Sequence, residues 1–163
     1  MVIERFRNDA MTVYSDGAEL VFERTFDAPR DVVWKAFMDP QRIPRWWGPH
    51  GTTARVLEMD VRVGGKWRYV TRAPDREDVT FYGEYLEVEP PERFKWTFMF
   101  DVEGVGPMGG PETFTFEDVD GKTKLTSSSH FGSTEELEGA LSTGMIGGAV
   151  DTWDRFAAML AEG

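Results

Sequence analysis

Aromatic residues at every second position are the feature that most constrains the fold of this 163-residue chain. Side chains of a strand alternate between its two faces, so residues two apart share a face. The alternating residues are Trp67 and Tyr69, then Phe94, Trp96, Phe98 and Phe100, then Phe114 and Phe116. An antiparallel sheet with one covered face gives this pattern.

Turn-forming residues divide the chain around these segments into short strands. Gly64-Gly65, Pro74-Asp75, Pro90-Pro91 and Asp120-Gly121 mark the breaks, and Asp120-Gly121 is the strongest hairpin signal among them. Strands are predicted at about 20–26, 53–62, 66–72, 79–88, 92–101, 112–118 and 122–131. Such regular spacing is typical of an antiparallel meander. Gly104 to Pro111 holds four glycines and two prolines, which predicts a mobile loop.

Two short helices are predicted after the first of these strands. Pro29 suits the first turn of a helix that follows Asp27, and the pairs Val33/Phe37 and Trp34/Met38 give that helix an apolar stripe. Asp39-Pro40 closes the first helix and opens the second. Pro44 keeps the second helix short.

A long helix is predicted near the C-terminus. Ser133 and Glu136 form a capping box, and apolar residues follow at helical spacing. They are Leu137, Leu141, Met145, Ala149, Trp153, Phe156 and Leu160. Glycines at 139, 144, 147 and 148 each cost on the order of 1 kcal/mol relative to Ala in a helix interior. Either a close approach of helix to sheet or a flexible gate with a bend near Gly144 accounts for them.

Composition and charge exclude several classes of function. The net charge of -11 argues against nucleic acid and anionic membrane surfaces as partners. The absence of Cys excludes disulfides, a thiolate nucleophile and Cys-based metal sites. Met1 to Phe6 shows no apolar core of a signal peptide, and no run approaches the roughly 18 apolar residues of a membrane span. We therefore expect a cytoplasmic protein without membrane insertion, and its length fits one domain.

The expected organisation is an N-terminal arm or edge strand at 1–17 and a single α+β domain at 18–163. That domain is a curved antiparallel sheet of six to seven strands wrapped around the long C-terminal helix, with the two short helices after the first long strand.

Short motifs recur in a fixed order between residues 20 and 160. They are Arg24-Thr25-Phe26-Asp27-Ala28-Pro29, Val33-Trp34-Lys35-Ala36-Phe37, Asp39-Pro40, Arg45-Trp46-Trp47-Gly48-Pro49, Asp60-Val61-Arg62-Val63-Gly64-Gly65, Gly83-Glu84-Tyr85, Pro90-Pro91-Glu92-Arg93, and Gly144-Met145 through Trp153-Asp154-Arg155-Phe156. In order and spacing they resemble the START-like superfamily, also called SRPBCC or helix-grip proteins. Within it, the chain looks like the bacterial subgroup named after the activator of heat-shock protein 90 ATPase.

This resemblance implies the helix-grip fold, with an apolar cavity between the concave face of the sheet and the long helix. Superfamily members bind lipids, sterols, polyketides or other hydrophobic small molecules there, and a minority are cyclases or hydratases. The subgroup takes its name from a co-chaperone domain. One fold hosts many unrelated activities, so the resemblance is far more specific for fold than for function.

Trp46 and Trp47 place two large rings at the frayed end of the second short helix. Adjacent helical residues point in different directions, and Gly48-Pro49 ends the helix, so the rings lie over either plain core or a ligand cavity. The candidate ligand-binding residues are Trp46, Trp47, Trp67, Tyr69, Phe81, Tyr85, Trp96, Phe98, Phe114, Phe116, His130, Met145 and Trp153. These residues would either pack in the core or form the walls of the implied cavity.

No catalytic set stands out among the polar residues. His130, Glu84, Asp60 and Arg62 are the candidates for acid, base or oxyanion roles. Each has a plainer reading, such as a hydrogen-bonded strand histidine or an ion pair between Asp60 and Arg62 that secures a turn. The histidines are not spaced like metal ligands, and neither a metal nor a cofactor is expected.

Three functions remain open from the sequence. The first is a non-catalytic protein that binds a hydrophobic, lipid-like or aromatic small molecule. The second is a cyclase or hydratase acting on a hydrophobic carbonyl compound. The third is a protein-interaction role, either co-chaperone-like with a chaperone partner in a stress response, or through a homodimer.

Overall fold

Nine strands form one open antiparallel sheet in the computed structural model, which describes residues 1–102 and 106–162. The strands are β1 Val2–Arg7, β2 Met11–Asp16, β3 Glu19–Phe26, β4 Thr53–Met59, β5 Lys66–Ala73, β6 Arg76–Glu89, β7 Arg93–Val102, β8 Gly106–Val119 and β9 Lys122–His130. The helices are α1 Arg30–Met38, α2 Ile43–Trp46, α3 Thr134–Leu141 and α4 Met145–Glu162. The strand order across the sheet is β1-β2-β3-β9-β8-β7-β6-β5-β4.

The predicted α+β helix-grip architecture is confirmed, and the sheet is larger than expected. The N-terminal segment supplies the two additional strands, β1 and β2, with β2 paired to β3 along its length. Met11 and Val13 are 2% and 0% exposed. The segment 1–17 is therefore an integral edge of the sheet rather than a loose arm.

The predicted mobile loop at Gly104 to Pro111 is wrong where the structure describes it. The stretch from Gly106 onward belongs to β8 and pairs with β7, with Pro111 opposite Thr97. Gly109 has φ +132, and a Cβ there would lie 1.9 Å from the carbonyl oxygen of Phe98. This glycine therefore permits a close strand contact instead of marking a loop. Positions 104 and 105 lie outside the described residues.

The predicted long C-terminal helix is divided into α3 and α4. Ser133 caps α3 as predicted, because the Glu136 backbone N–H donates to the Ser133 hydroxyl at 3.1 Å. The second bond of the predicted capping box differs, since the Glu136 carboxylate accepts from the Gly132 backbone N–H at 2.9 Å. The break falls at Gly144, whose φ of +83 suits glycine and stops the first helix. A Cβ at Gly139, Gly147 or Gly148 would meet nothing within 4 Å. Close approach to the sheet therefore does not explain these three glycines.

Helix α4 crosses the inner face of the sheet, which carries the aromatic stripe. Trp153 contacts the rings of Phe22 and Phe26 on β3, at 6.1 and 6.0 Å between centroids. One turn farther along, Phe156 packs edge-on against Phe26 at 5.2 Å. An ion pair of 2.6 Å between Arg24 and Asp154 ties the helix to β3. Among the described residues, no helix has the length and apolar character needed to cross a bilayer.

Candidate functional site

The helices bury the inner face of the sheet fully at one end and only partly at the other. At the closed end, Phe94 and Phe116 are 0% and 1% exposed. Farther along the same face, at what we call the open end, Phe81 on β6 and Phe98 and Phe100 on β7 are half-buried. The strand register places Phe81 opposite Phe100 and Phe98 opposite Gly110. The open end therefore presents apolar surface that the helices leave partly uncovered.

The direction of α4 explains this gradient. Strand β9 ends at His130, beside the open end, and the chain enters α3 and α4 from there. The contacts of Trp153 and Phe156 then place the later turns of α4 over the closed end. The early turns carry half-buried apolar side chains that pack against the core. They are Met145, Ile146, Ala149 and Val150.

Trp46 and Trp47 belong to the packed interior rather than to a free surface. Trp46 is 1% exposed and meets Phe156 edge-on at 4.8 Å. Trp47 is 9% exposed and lies within 6.2 Å of five further rings, measured between centroids. Those rings are Trp67, Tyr69, Phe81, Trp96 and Phe98. Trp67 and Trp96 stack at 4.0 Å with 17° between their planes.

Arg155 of α4 holds the end of α2 and the two tryptophans in place. Its guanidinium donates to the backbone carbonyl oxygens of Arg45, Trp47, Gly48 and Pro49, at 2.8 to 3.3 Å. The last carbonyls of a helix lack partners within the helix. Arg155 supplies these donors from a neighbouring element and so joins α2 to α4.

A row of polar residues crosses the inner face at the boundary between the closed and open ends. The register aligns Tyr85, Trp96, Glu112 and Ser129 across β6, β7, β8 and β9. The Trp96 indole N–H donates to Glu112 Oε1 at 2.9 Å, and the Ser129 hydroxyl donates to Glu112 Oε2 at 3.0 Å. A carboxylate is therefore fixed on an otherwise aromatic face.

Burial raises the pKa of Glu112, while the polar side chains of Trp96, Ser129 and Ser127 beside the carboxylate oppose that rise. The residue is half-buried and keeps some exposed surface. In the ranges 1–102 and 106–162, no Lys, Arg or His nitrogen lies within 4.0 Å of this carboxylate. Glu112 is thus an inward acid without a cationic partner in the described structure.

The four candidate catalytic residues do not face the interior. The side chain of His130 is 65% exposed, and its Nε2 lies 3.0 Å from Glu19. Asp60 and Arg62 form an exposed ion pair of 2.8 Å, and Glu84 is exposed. These four residues therefore lie at exposed positions or in ion pairs at the surface, and their catalytic roles stay a prediction.

Comparison with known proteins fits this architecture. Residues 27–161 match the family described as Activator of Hsp90 ATPase homolog 1-like protein. The chain belongs to this family. No curated protein matches it.

Solved structures from several bacteria share the fold of this family member. A Mycobacterium smegmatis protein is 29% identical, with 91% of this chain and 96% of that chain covered and a TM-score of 0.78. A solution structure from Arthrobacter aurescens is 26% identical, covering 93% and 91%, with a TM-score of 0.83. A Rhodobacter sphaeroides protein reaches a TM-score of 0.84 at 23% identity, covering 94% and 99%, and shows the fold alone.

The predicted ligand-binding residues of this family member fall into three groups. Nine are packed in the interior: Trp46, Trp47, Trp67, Tyr69, Tyr85, Trp96, Phe114, Phe116 and Trp153. Phe81, Phe98 and Met145 are half-buried, and the side chain of His130 is largely exposed. The roles of all these residues in binding stay a prediction.

Two concavities lie elsewhere on the surface. One of about 160 Å³ is bounded by Arg45, His50, Arg155 and Glu162, between α2 and the end of α4. A shallow groove of about 420 Å³ runs along the outer face of the sheet, beside Arg68, Tyr82 and Glu84. The described residues contain no group of three or more His, Asp or Glu side chains placed to hold a metal ion.

Sequence reasoning missed Glu112, although a signal was present. Glu112 precedes Phe114 and Phe116 at the same period of two, so it had to share their face. The aromatic residues alone define the predicted strand face, and Glu112 is not among the candidate residues drawn from it.

Proposed function

We propose that this protein binds a small hydrophobic molecule at the open end of the helix grip. The loss of cover along the inner face carries this proposal: Phe94 is 0% exposed, whereas Phe98 and Phe100 on the same side of the same strand are half-buried. Apolar surface left in contact with water favours an apolar occupant, by about 25 cal/mol for each Å² covered.

The shape of the open end supports the same occupant. Gly110 lacks a side chain between Phe98 and Glu112, and a Cβ there would meet only the carbonyl oxygen of His130, at 3.5 Å. Apolar walls with a single charged group are the usual composition of a small-molecule site.

Native mass spectrometry of the protein purified from its own host tests this function directly. We expect a retained small molecule, and we expect the neutral dye Nile red to bind saturably with increased fluorescence. Gly110→Val fills the open end and should weaken Nile red binding about fivefold or more, equivalent to roughly 1 kcal/mol of lost contact. Thr115→Val, on the outer face of the same strand, should leave binding unchanged.

The proposal fails if neither a retained molecule nor Nile red binding is found. It also fails if Gly110→Val binds the dye as well as the wild-type protein does. The co-chaperone role suggested by the family name has no counterpart among the features described above and stays a prediction. A homodimer stays a prediction as well, and light scattering measures it.

A further inference from the structure

The carboxylate of Glu112 has acceptor capacity that the protein does not use. An ionised carboxylate offers about four lone-pair positions. Trp96 and Ser129 occupy one on each oxygen, and among the described residues Ser127 is the other donor side chain nearby. The two bonds fix the orientation of the carboxylate and leave part of it available to an incoming group.

The charge of Glu112 is also uncompensated. Arg24, which lies farther along β3 beside the closed end, does not compensate it, because Arg24 is paired with Asp154 at 2.6 Å. A buried carboxylate without a counter-ion is costly, and a cation placed beside it in a low-dielectric site interacts far more strongly than in water. The net charge of -11 additionally draws cations rather than anions towards the protein.

Apolar surface continues directly from this carboxylate. Gly110 follows on the same strand face, and Phe98 lies opposite Gly110 in the register. A molecule with a charged nitrogen at Glu112 would therefore lay its apolar part over Phe98 and Phe100, at the open end.

We propose that Glu112 recognises the protonated nitrogen of a hydrophobic amine bound at the open end of the grip. This inference rests on the proposed function and specifies the chemical class of its ligand. The Trp96 indole and the Ser129 hydroxyl act as positioning groups, since they orient the carboxylate and the carboxylate itself contacts the ligand.

Three naphthalene compounds of similar size separate the charge of the ligand from its apolar part. They are naphthylmethylamine, naphthylmethanol and naphthoic acid, titrated into the protein at neutral pH by isothermal calorimetry. We expect the amine to bind about tenfold or more tighter than the acid, as for a hydrogen bond between charged groups, with the alcohol between them. In Glu112→Gln the preference for the amine should largely disappear. Glu117→Gln, an exposed position on the same strand, should keep it.

The outcomes separate the two proposals. If the three compounds bind and their order is the same in wild type and Glu112→Gln, the role of Glu112 is overturned while hydrophobic binding stands. If none of them binds although Nile red does, this inference is overturned while the proposed function stands, and if Nile red fails to bind as well, both are contradicted. Should Glu112→Gln fail to fold, Glu112→Asp withdraws the carboxylate by one methylene, and an undiminished amine preference there would overturn the inference.

Discussion

Glu112 is an acidic residue on a sheet face that is otherwise aromatic. Its strand neighbours on the inner face are Phe114 and Gly110, and its two hydrogen-bond donors come from the adjacent strands. Local rules that place polar groups outside are most often broken where a protein binds or reacts. The cost of this position should therefore be visible in stability measurements.

Replacing Glu112 by Gln should stabilise the protein increasingly as pH rises. Burial holds the pKa of Glu112 above its ordinary value in the folded state, so the folded protein binds the proton more tightly than the unfolded chain does. Below the ordinary pKa the carboxyl is protonated in both states and imposes no charge penalty. As pH rises through the ordinary and then the raised pKa, ionisation destabilises the folded state.

Urea unfolding of wild type and Glu112→Gln between about pH 4 and about pH 8 measures this trend. The difference in free energy of unfolding should grow in favour of the variant across that interval. Glu117→Gln serves as the control on the outer face. A difference that stays constant with pH would show that Glu112 is not held in an unfavourable ionised state.

Trp47→Ala should reduce stability strongly. The ring is 9% exposed and contacts aromatic side chains on β5, β6 and β7, so its removal leaves a large void. Truncations of this kind cost about 3–5 kcal/mol. Thermal or urea denaturation measures the loss, and Trp47→Phe, which fills part of the volume, should lose less. A Trp47→Ala protein with wild-type stability and impaired Nile red binding would instead assign the ring to a pocket wall.

The helical spacing of the apolar residues does not reveal the break between α3 and α4. Apolar residues continue at helical intervals from Leu137 to Leu160, and this periodicity is unaffected by the change of direction. Gly144 marks the break through its backbone conformation, whereas Gly147 and Gly148 lie inside α4 in open space. The same residue type therefore has two different roles within five positions.

Alanine substitutions should separate these two roles. Gly147→Ala should stabilise α4 by about 0.5–1 kcal/mol, because Ala has the higher helix propensity and its Cβ meets no atom within 4 Å. Gly144→Ala should destabilise the protein by about 1–2 kcal/mol, since φ is +83 there. Denaturant midpoints measure both changes. Equal effects of the two substitutions would mean that Gly144 is not required at the break.

Strands were predicted correctly where apolar and polar side chains alternate. The prediction failed where glycine and proline occupy a segment that pairs with a neighbouring strand. The strands that carry Trp67 and Phe94 were predicted to within about one residue at each end, and so was the end of β8, which carries Phe114. The start of β8 was not, because glycine and proline are typical of loops, and only the partner strand β7 reveals the pairing. Long-range pairing of this kind depends on residues far away in sequence, which a local pattern does not contain.

At the scale of the whole molecule, the N-terminal strands complete the sheet. Met11 and Val13 are buried in β2, whereas Met1, Val2 and Ile3 of the β1 segment are 93%, 61% and 43% exposed. The two strands should therefore contribute very unequally to stability. The fold itself was predictable from the order of the elements, but the polar N-terminal sequence did not show how much of it is buried.

Shortening the chain from its N-terminus tests this difference. A chain that begins at residue 9 loses β1 and should lose little stability. A chain that begins at residue 18 also loses Met11 and Val13, each worth about 1.5–3 kcal/mol when fully buried. At roughly 2–4 °C per kcal/mol for a protein of this size, its melting temperature should fall by about 10 °C or more. Equal melting temperatures of the two shortened chains would contradict the assignment of β2 to the core.

The parallel stack of Trp67 on Trp96 gives this protein an optical reporter of its own. Two indoles at 4.0 Å and 17° couple their electronic transitions, and coupled transitions produce a paired positive and negative band in circular dichroism. Trp96 is also the residue that holds Glu112 through its indole N–H. Occupation of the site, or protonation of the Glu112 carboxylate, should thus change the circular dichroism of the two indoles in the unlabelled protein. The spectrum would then report on a carboxylate that has no near-ultraviolet absorption of its own.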